Sequence, residues 1–104
     1  MSKSLIPKLE AIKQRYNEVA DLIIQPDVIS DQKKYSSLNK EYSDLGKIVA
    51  VFDQYKQALK TIEESDEIIA DGSDKEFVEM AKMEKNEAIQ KIPGFEEQLK
   101  VLLI

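Results

Sequence analysis

The sequence predicts an all-α fold: an elongated three-helix bundle, or antiparallel coiled-coil hairpin, with a short first helix packed on it. Apolar residues recur in alternating steps of three and four along most of the 104 residues, the spacing that lays them down one side of a helix. Glycine and proline number only three each, and most of them fall where that stripe is interrupted. Charged residues make up 34% of the chain and alternate with the apolar ones, which suits amphipathic helices better than a sheet or a disordered tail.

The first helix is expected over residues 4–24. Leu5, Leu9, Ile12, Tyr16, Val19 and Ile23 form its stripe, spaced as the a and d positions of a heptad. Ser4 is placed to cap the first turn, and Pro7 sits near the start, where a missing N–H costs nothing. The stretch "LIIQPDVISDQ", residues 22–32, then breaks the pattern. Pro26 ends the helix, because the residue before a proline is pushed out of the α region. Residues 27–30 read as a turn, after which Ser30 or Asp31 can cap a second helix by accepting an N–H of its first turn.

That second helix is expected over residues 31–71. Its stripe runs through Tyr35, Leu38, Tyr42, Leu45, Val49, Phe52, Tyr55, Leu59, Ile62 and Ile69, with Gly46 the weak helix former in the interior. At 1.5 Å per residue it would be roughly 60 Å long, too long for a compact globule and suited to a coiled-coil arm. "DGSDKE" at residues 71–76 marks the next boundary. Gly72 can take the left-handed position that closes a helix, and Ser73 with Glu76 spells a capping box for the helix that follows.

The third helix, residues 74–103, carries Phe77, Met80, Ala81, Ala88 and Ile92. Pro93 and Gly94 predict a kink or a break at residues 92–94, beyond which Phe95, Leu99 and Leu102 continue the stripe. A tight turn between two long striped helices makes them antiparallel, with their seams facing each other. The chain thus reads as one helical domain, residues 1–104, with a narrow core and no enclosed cavity for a substrate. Each Leu or Phe buried in such a seam contributes about 1.5–3 kcal/mol.

Composition removes several kinds of chemistry. Lys+Arg number 15 against 20 Asp+Glu, and a net charge of -5 argues against nucleic acid as the main ligand. Cysteine and histidine are both absent, which excludes disulfides, thiol nucleophiles, histidine bases and the common zinc sites. There is no Gly-rich phosphate loop. Paired carboxylates occur on helix faces but have no cleft to work in, and serve better as partners in Glu–Lys pairs. The expectation is a protein that is not an enzyme and uses no cofactor, metal or small-molecule ligand. No apolar run approaches the ~20 residues of a membrane span, and "MSKSLIPK" lacks the apolar stretch of a secretory signal, so a soluble cytoplasmic protein is expected.

The sharpest surface feature is an acidic cluster at the expected hairpin tip: Glu63, Glu64, Asp66, Glu67, Asp71, Asp74 and Glu76, with Lys75 the base among them. It reads either as a docking patch for a basic protein surface or as a solvated helix end that keeps the tip soluble. Carboxylates in the last turn of a helix face the negative end of its dipole, a cost of a few tenths of a kcal/mol each. Stability alone would not place them there. A calcium site in "DGSDKE" is disfavoured, since the alternating acids and the terminal Glu of such a loop are missing. Tyr16, Tyr35, Tyr42 and Tyr55 fall on the apolar stripe and are expected in the seams rather than on an RNA-stacking platform.

One string is more specific than a heptad. "PDVISD" at residues 26–31 is followed by Tyr35, Leu38, Glu41-Tyr42 and Leu45, an apolar patch, and Tyr55-Lys56. The stretch resembles the amino-terminal domain of bacterial class I peptide chain release factors, of the type that reads UAA and UAG. The likeness continues more loosely through "EMAKMEKNEAI" and "PGFEEQLKVLLI", so it covers nearly the whole chain. It implies a translation termination factor in the cytoplasm, whose helical domain reaches the protein at the ribosomal stalk base and is acted on by the GTPase release factor. In that family a Gly-Gly-Gln tripeptide carries hydrolysis and a Pro-x-Thr tripeptide reads the codon, both in later domains. Neither tripeptide occurs here, so no catalytic or codon-reading residue carries over to any position.

The apolar end "VLLI" has no polar cap, from which a fragment of a longer chain, able to self-associate through that end, is expected. The competing reading is a free-standing acidic coiled-coil adaptor or scaffold unrelated to translation.

Overall fold

The structure, a computed structural model, describes residues 5–104, so the cap expected at Ser4 lies outside the described residues. These residues form helices and no strand: α1 (Leu5–Leu22), α2 (Pro26–Ile29), α3 (Gln32–Asp71) and α4 (Lys75–Leu102). The all-α class expected from the stripes is the fold observed. The chain divides into two compact units, Met1–Ala50 and Val51–Ile104, and α3 contributes to both.

In the first unit α1 lies against the opening part of α3. Leu9 and Val19 are buried, while Leu5, Ile12, Tyr16 and Ile23 are half-buried along the same stripe. The packing has a polar component too. Arg15 donates from Nε to Glu41 Oε2 at 2.7 Å and from Nη2 to Glu41 Oε1 at 2.9 Å. One residue on, the Tyr16 and Tyr42 rings stack with centroids 4.7 Å apart and hydroxyls 3.0 Å apart. Gly46 makes room for this stack, since a Cβ there would stand 3.3 Å from Tyr16 Cε1. Tyr35, also expected in the seam, is instead 39% exposed, because it lies in the first turn of α3.

Between the helices the chain is more ordered than the sequence suggests. α1 stops at Leu22, and Gln25 is extended at φ -76° and ψ 137°, as the following proline demands. Residues 27–30 are not the open turn expected. Pro26 begins a helical turn of its own, α2, in which Ile29 N–H donates to Gln25 O and Ser30 N–H to Pro26 O, both at 3.0 Å. A proline's fixed φ suits the first helical position, and Asp27 complements the positive end of the dipole. Val28 drives the turn inward and is buried. Of the two candidate caps for α3, Asp31 takes the role: its Oδ1 accepts from Lys34 N–H at 3.1 Å, while the Ser30 hydroxyl donates to the Asp27 carbonyl.

The second unit is a helical hairpin of the later part of α3 and α4. Phe52, Tyr55, Ala58 and Ser65 are buried on one arm, Ala81, Ala88 and Leu99 on the other. Ala58 and Ala88 stand equally far from Ser73 along the two arms, and so do Ser65 and Ala81, which sets small side chains opposite small ones. Small residues at facing positions let helices approach closely.

The seam of α4 requires a correction. Phe77 and Met80, expected on it, point outward, and the buried and half-buried positions are Val78, Ala81, Lys85, Ala88, Ile92, Phe95, Leu99 and Leu102, with Glu96 half-buried beside Phe95. That set keeps the heptad steps only if a lysine is admitted. Lys85 fits because its aliphatic stem covers the seam while its ammonium reaches Asp66 Oδ1 at 2.5 Å. α4 also continues through Pro93 without a break, although the ring leaves the Ile89 carbonyl without its ladder donor. Ile89, Pro93 and Gly94 all lie on the exposed side of the helix, where that carbonyl meets water, while Ile92 and Leu99 hold the inner side to α3.

Candidate functional site: the hairpin tip

The tip is built from the end of α3, three connecting residues and the start of α4. Gly72, at φ 65°, takes the left-handed conformation, and its N–H donates to the Ile68 carbonyl at 3.1 Å to close α3. The N-cap of α4 is Asp74, one residue later than the expected capping box. Its Oδ1 accepts from Glu76 N–H at 3.0 Å and from Phe77 N–H at 3.3 Å. Ser73 looks the other way, with its hydroxyl and its N–H both donating to Asp71 Oδ2. Those two donors hold the Asp71 carboxyl below the usual carboxylate range, so it stays ionised.

All seven acidic residues of the expected cluster are exposed. Several also have local roles: Asp66 pairs with Lys85, Glu64 reaches Lys60 at 3.9 Å, Asp71 holds Ser73, and Asp74 caps α4. A sequence reading could not separate these roles from docking, because each depends on which neighbour the fold supplies.

What the sequence reading missed is the apolar part of the same surface. Ile68 is 42% exposed, Phe77 60%, Met80 55% and Met83 67%. Ile68 and Phe77 line a shallow groove of about 280 Å³ together with Glu67, Asp71, Ser73 and Asp74. Phe77, Met80 and Met83 follow one another at steps of three, which places them as a staircase on the outer side of α4. The signal was present in the sequence, since a heptad through Val78, Ala81, Lys85 and Ala88 leaves these three residues off the seam.

A second groove of the hairpin, about 390 Å³, passes Gln54, Thr61, Glu84, Glu87, Lys91 and Phe95 beside the buried Ala58 and Ala88. Elsewhere in the hairpin, burial pushes the Tyr55 phenol up, and the charge and hydrogen bond of Glu96 push the same way. Among the described residues no group of His, Cys, Asp and Glu is placed to hold a metal ion, and no helix is long and apolar enough to cross a membrane. The arrangement offers contact surfaces, charge and apolar anchors.

Comparison with known proteins supports a single family. The model of the PCRF domain matches residues 12–104. A peptide chain release factor 1 from Flavobacterium johnsoniae is 52% identical over 100 residues, which is 96% of this chain and 28% of the relative. The factor of the same name from Staphylococcus carnosus is 43% identical over 100 residues, and that from Bacteroides fragilis 39% over 103, again covering 28% of each relative. The chain therefore spans a little over a quarter of the length of these relatives. No solved structure matches it. With one family model covering most of its length, and relatives of one kind aligned along nearly all of it, the chain belongs to the PCRF domain family, as the amino-terminal domain of the bacterial peptide chain release factor 1 type.

Proposed function

We propose that the chain serves as the non-catalytic amino-terminal domain of a translation termination factor. It supplies protein contacts near the ribosomal stalk base and to the GTPase release factor, while codon reading and peptidyl-tRNA hydrolysis reside in domains outside these residues. The 52% identity to a peptide chain release factor 1 over 96% of the chain carries this reading. The residues present favour binding over chemistry: carboxylates and apolar side chains exposed on a hairpin tip, without a histidine or cysteine to act as base or nucleophile. The carboxylates of Glu63, Glu64, Asp66, Glu67, Asp71, Asp74 and Glu76 are the proposed docking charges, and contacts made through them weaken with salt.

The test uses a chimera in which this chain replaces the matching part of the Flavobacterium johnsoniae factor. The chimera is expected to release peptide at UAA and UAG and to be recycled by the GTPase factor, whereas a version lacking the domain releases peptide without being recycled normally. The chain alone, added to ribosomes stalled at a stop codon, releases none. Peptide release by the chain alone, or recycling that is indifferent to its deletion, would overturn the proposal.

A further inference from the structure

We propose that the outer face of the hairpin tip is a docking site for a basic amphipathic helix of a partner protein, with Ile68, Phe77, Met80 and Met83 as its apolar anchors. Four large apolar side chains are left substantially exposed here, on a chain whose heptad seam is already filled by other residues. Phe77 and Ile68 form the walls of the tip groove, while Met80 and Met83 extend the surface along α4, the direction in which a partner helix would lie. Methionine is unbranched and polarisable, and adapts to a partner's side chains better than a branched residue.

Charge identifies the occupant. Residues 63–87 hold ten carboxylates and three lysines, and two of those lysines are committed, Lys82 to Glu79 and Lys85 to Asp66. Glu67, Asp71 and Asp74 line the groove itself. A second copy of this chain, a nucleic acid or an anionic lipid surface would bring like charge to the same place, whereas a helix with lysine or arginine flanking an apolar stripe matches both components. This inference deepens the tip-docking part of the function proposed above, yet it rests on the surface itself and is tested without ribosomes.

The probe is a helical leucine–lysine peptide with leucine on one face, titrated into the isotope-labelled chain and followed by amide chemical shifts. A leucine–glutamate peptide of the same pattern is the control. Shifts are expected at the tip groove and along the outer side of α4, to weaken as salt is raised, and to be absent with the control. The triple substitution Phe77→Ser, Met80→Ser, Met83→Ser keeps the charge and touches exposed residues, and is expected to weaken binding by roughly tenfold or more with the far-ultraviolet spectrum unchanged. Equal affinity in the triple variant would reduce the effect to charge alone and sink the proposal. So would shifts centred elsewhere, no binding at millimolar peptide, or a sedimentation mass showing that the face is covered by a second copy and freed by the substitutions.

Discussion

Arg15 holds Glu41 in a two-point grip, Nε to Oε2 at 2.7 Å and Nη2 to Oε1 at 2.9 Å, joining α1 to the opening part of α3. A planar guanidinium matches both oxygens of a carboxylate, which a lysine cannot do. Hydrogen bonding to Arg15 lowers the Glu41 carboxyl below its ordinary range against a smaller opposing effect of desolvation. A group whose pKa is depressed on folding stabilises above its unfolded pKa and loses that contribution as pH falls through the folded value. Glu41→Gln is therefore expected to melt below the parent at neutral pH, with the gap closing as pH drops below the usual carboxylate range. The pair is partly solvent-exposed, so the effect is small. Thermal melts of both proteins across that range decide it, and a gap that widens toward acid would contradict the assignment.

Gly46 presents two opposing effects in one residue. In a helix interior glycine costs about 1 kcal/mol relative to alanine, yet a Cβ here would press on the Tyr16 ring at 3.3 Å. That ring stacks on Tyr42, an interaction worth about 0.5–1.5 kcal/mol. Gly46→Ala in the parent is expected to gain less than the full ~1 kcal/mol of propensity. In a Tyr16→Ala background the same change gains all of it. Denaturant titration of the four proteins measures the coupling, and identical gains in both backgrounds would show that the ring does not depend on the glycine.

Much of the chain from Arg15 to Lys56 was legible in the sequence, and the residues that carried the family resemblance explain why. Asp31 caps α3, Glu41 and Tyr42 receive Arg15 and Tyr16, Tyr55 is buried, and Lys56 lies over the Phe52 ring at 4.8 Å. The recognisable string is thus made of caps and packing contacts, which determine the fold more than any chemistry. The tip was less legible because its outcome turns on competition between neighbours. Ser73 and Asp74 are both good caps, and only the backbone after Gly72 decides which side chain faces the free N–H groups of α4. Phe77 outranks Val78 in hydrophobicity, and Lys85 looks like a surface residue until Asp66 is placed beside it.

The two cap candidates make a direct comparison. Asp74→Ala removes the acceptor for Glu76 N–H and Phe77 N–H and is expected to cost about 0.5–2 kcal/mol. Ser73→Ala removes only a donor to an exposed carboxylate, and its cost should be the smaller of the two. Chemical denaturation of both variants distinguishes the assignments: a larger loss at Ser73 would restore the capping box expected from the sequence.

Pro93 opposes the helix it occupies more strongly than any other residue of α4, its neighbour Gly94 included. Its ring removes a donor from the ladder and crowds the Ile89 carbonyl, a penalty on the order of 3 kcal/mol relative to alanine in a regular helix interior. Part of that penalty is already relieved, because the residues around the defect are exposed and water can reach the carbonyl. Pro93→Ala restores the N–H without adding bulk to the seam, which passes through Ile92 and Leu99 instead. The variant is expected to be more stable than the parent by about 1–3 kcal/mol, with slower amide exchange in the turns on either side of residue 93. Hydrogen exchange and denaturant unfolding measure the two effects separately. A destabilised variant would mean that the proline's local geometry is needed for the fit of α4 on α3, and that the hairpin was built around the defect.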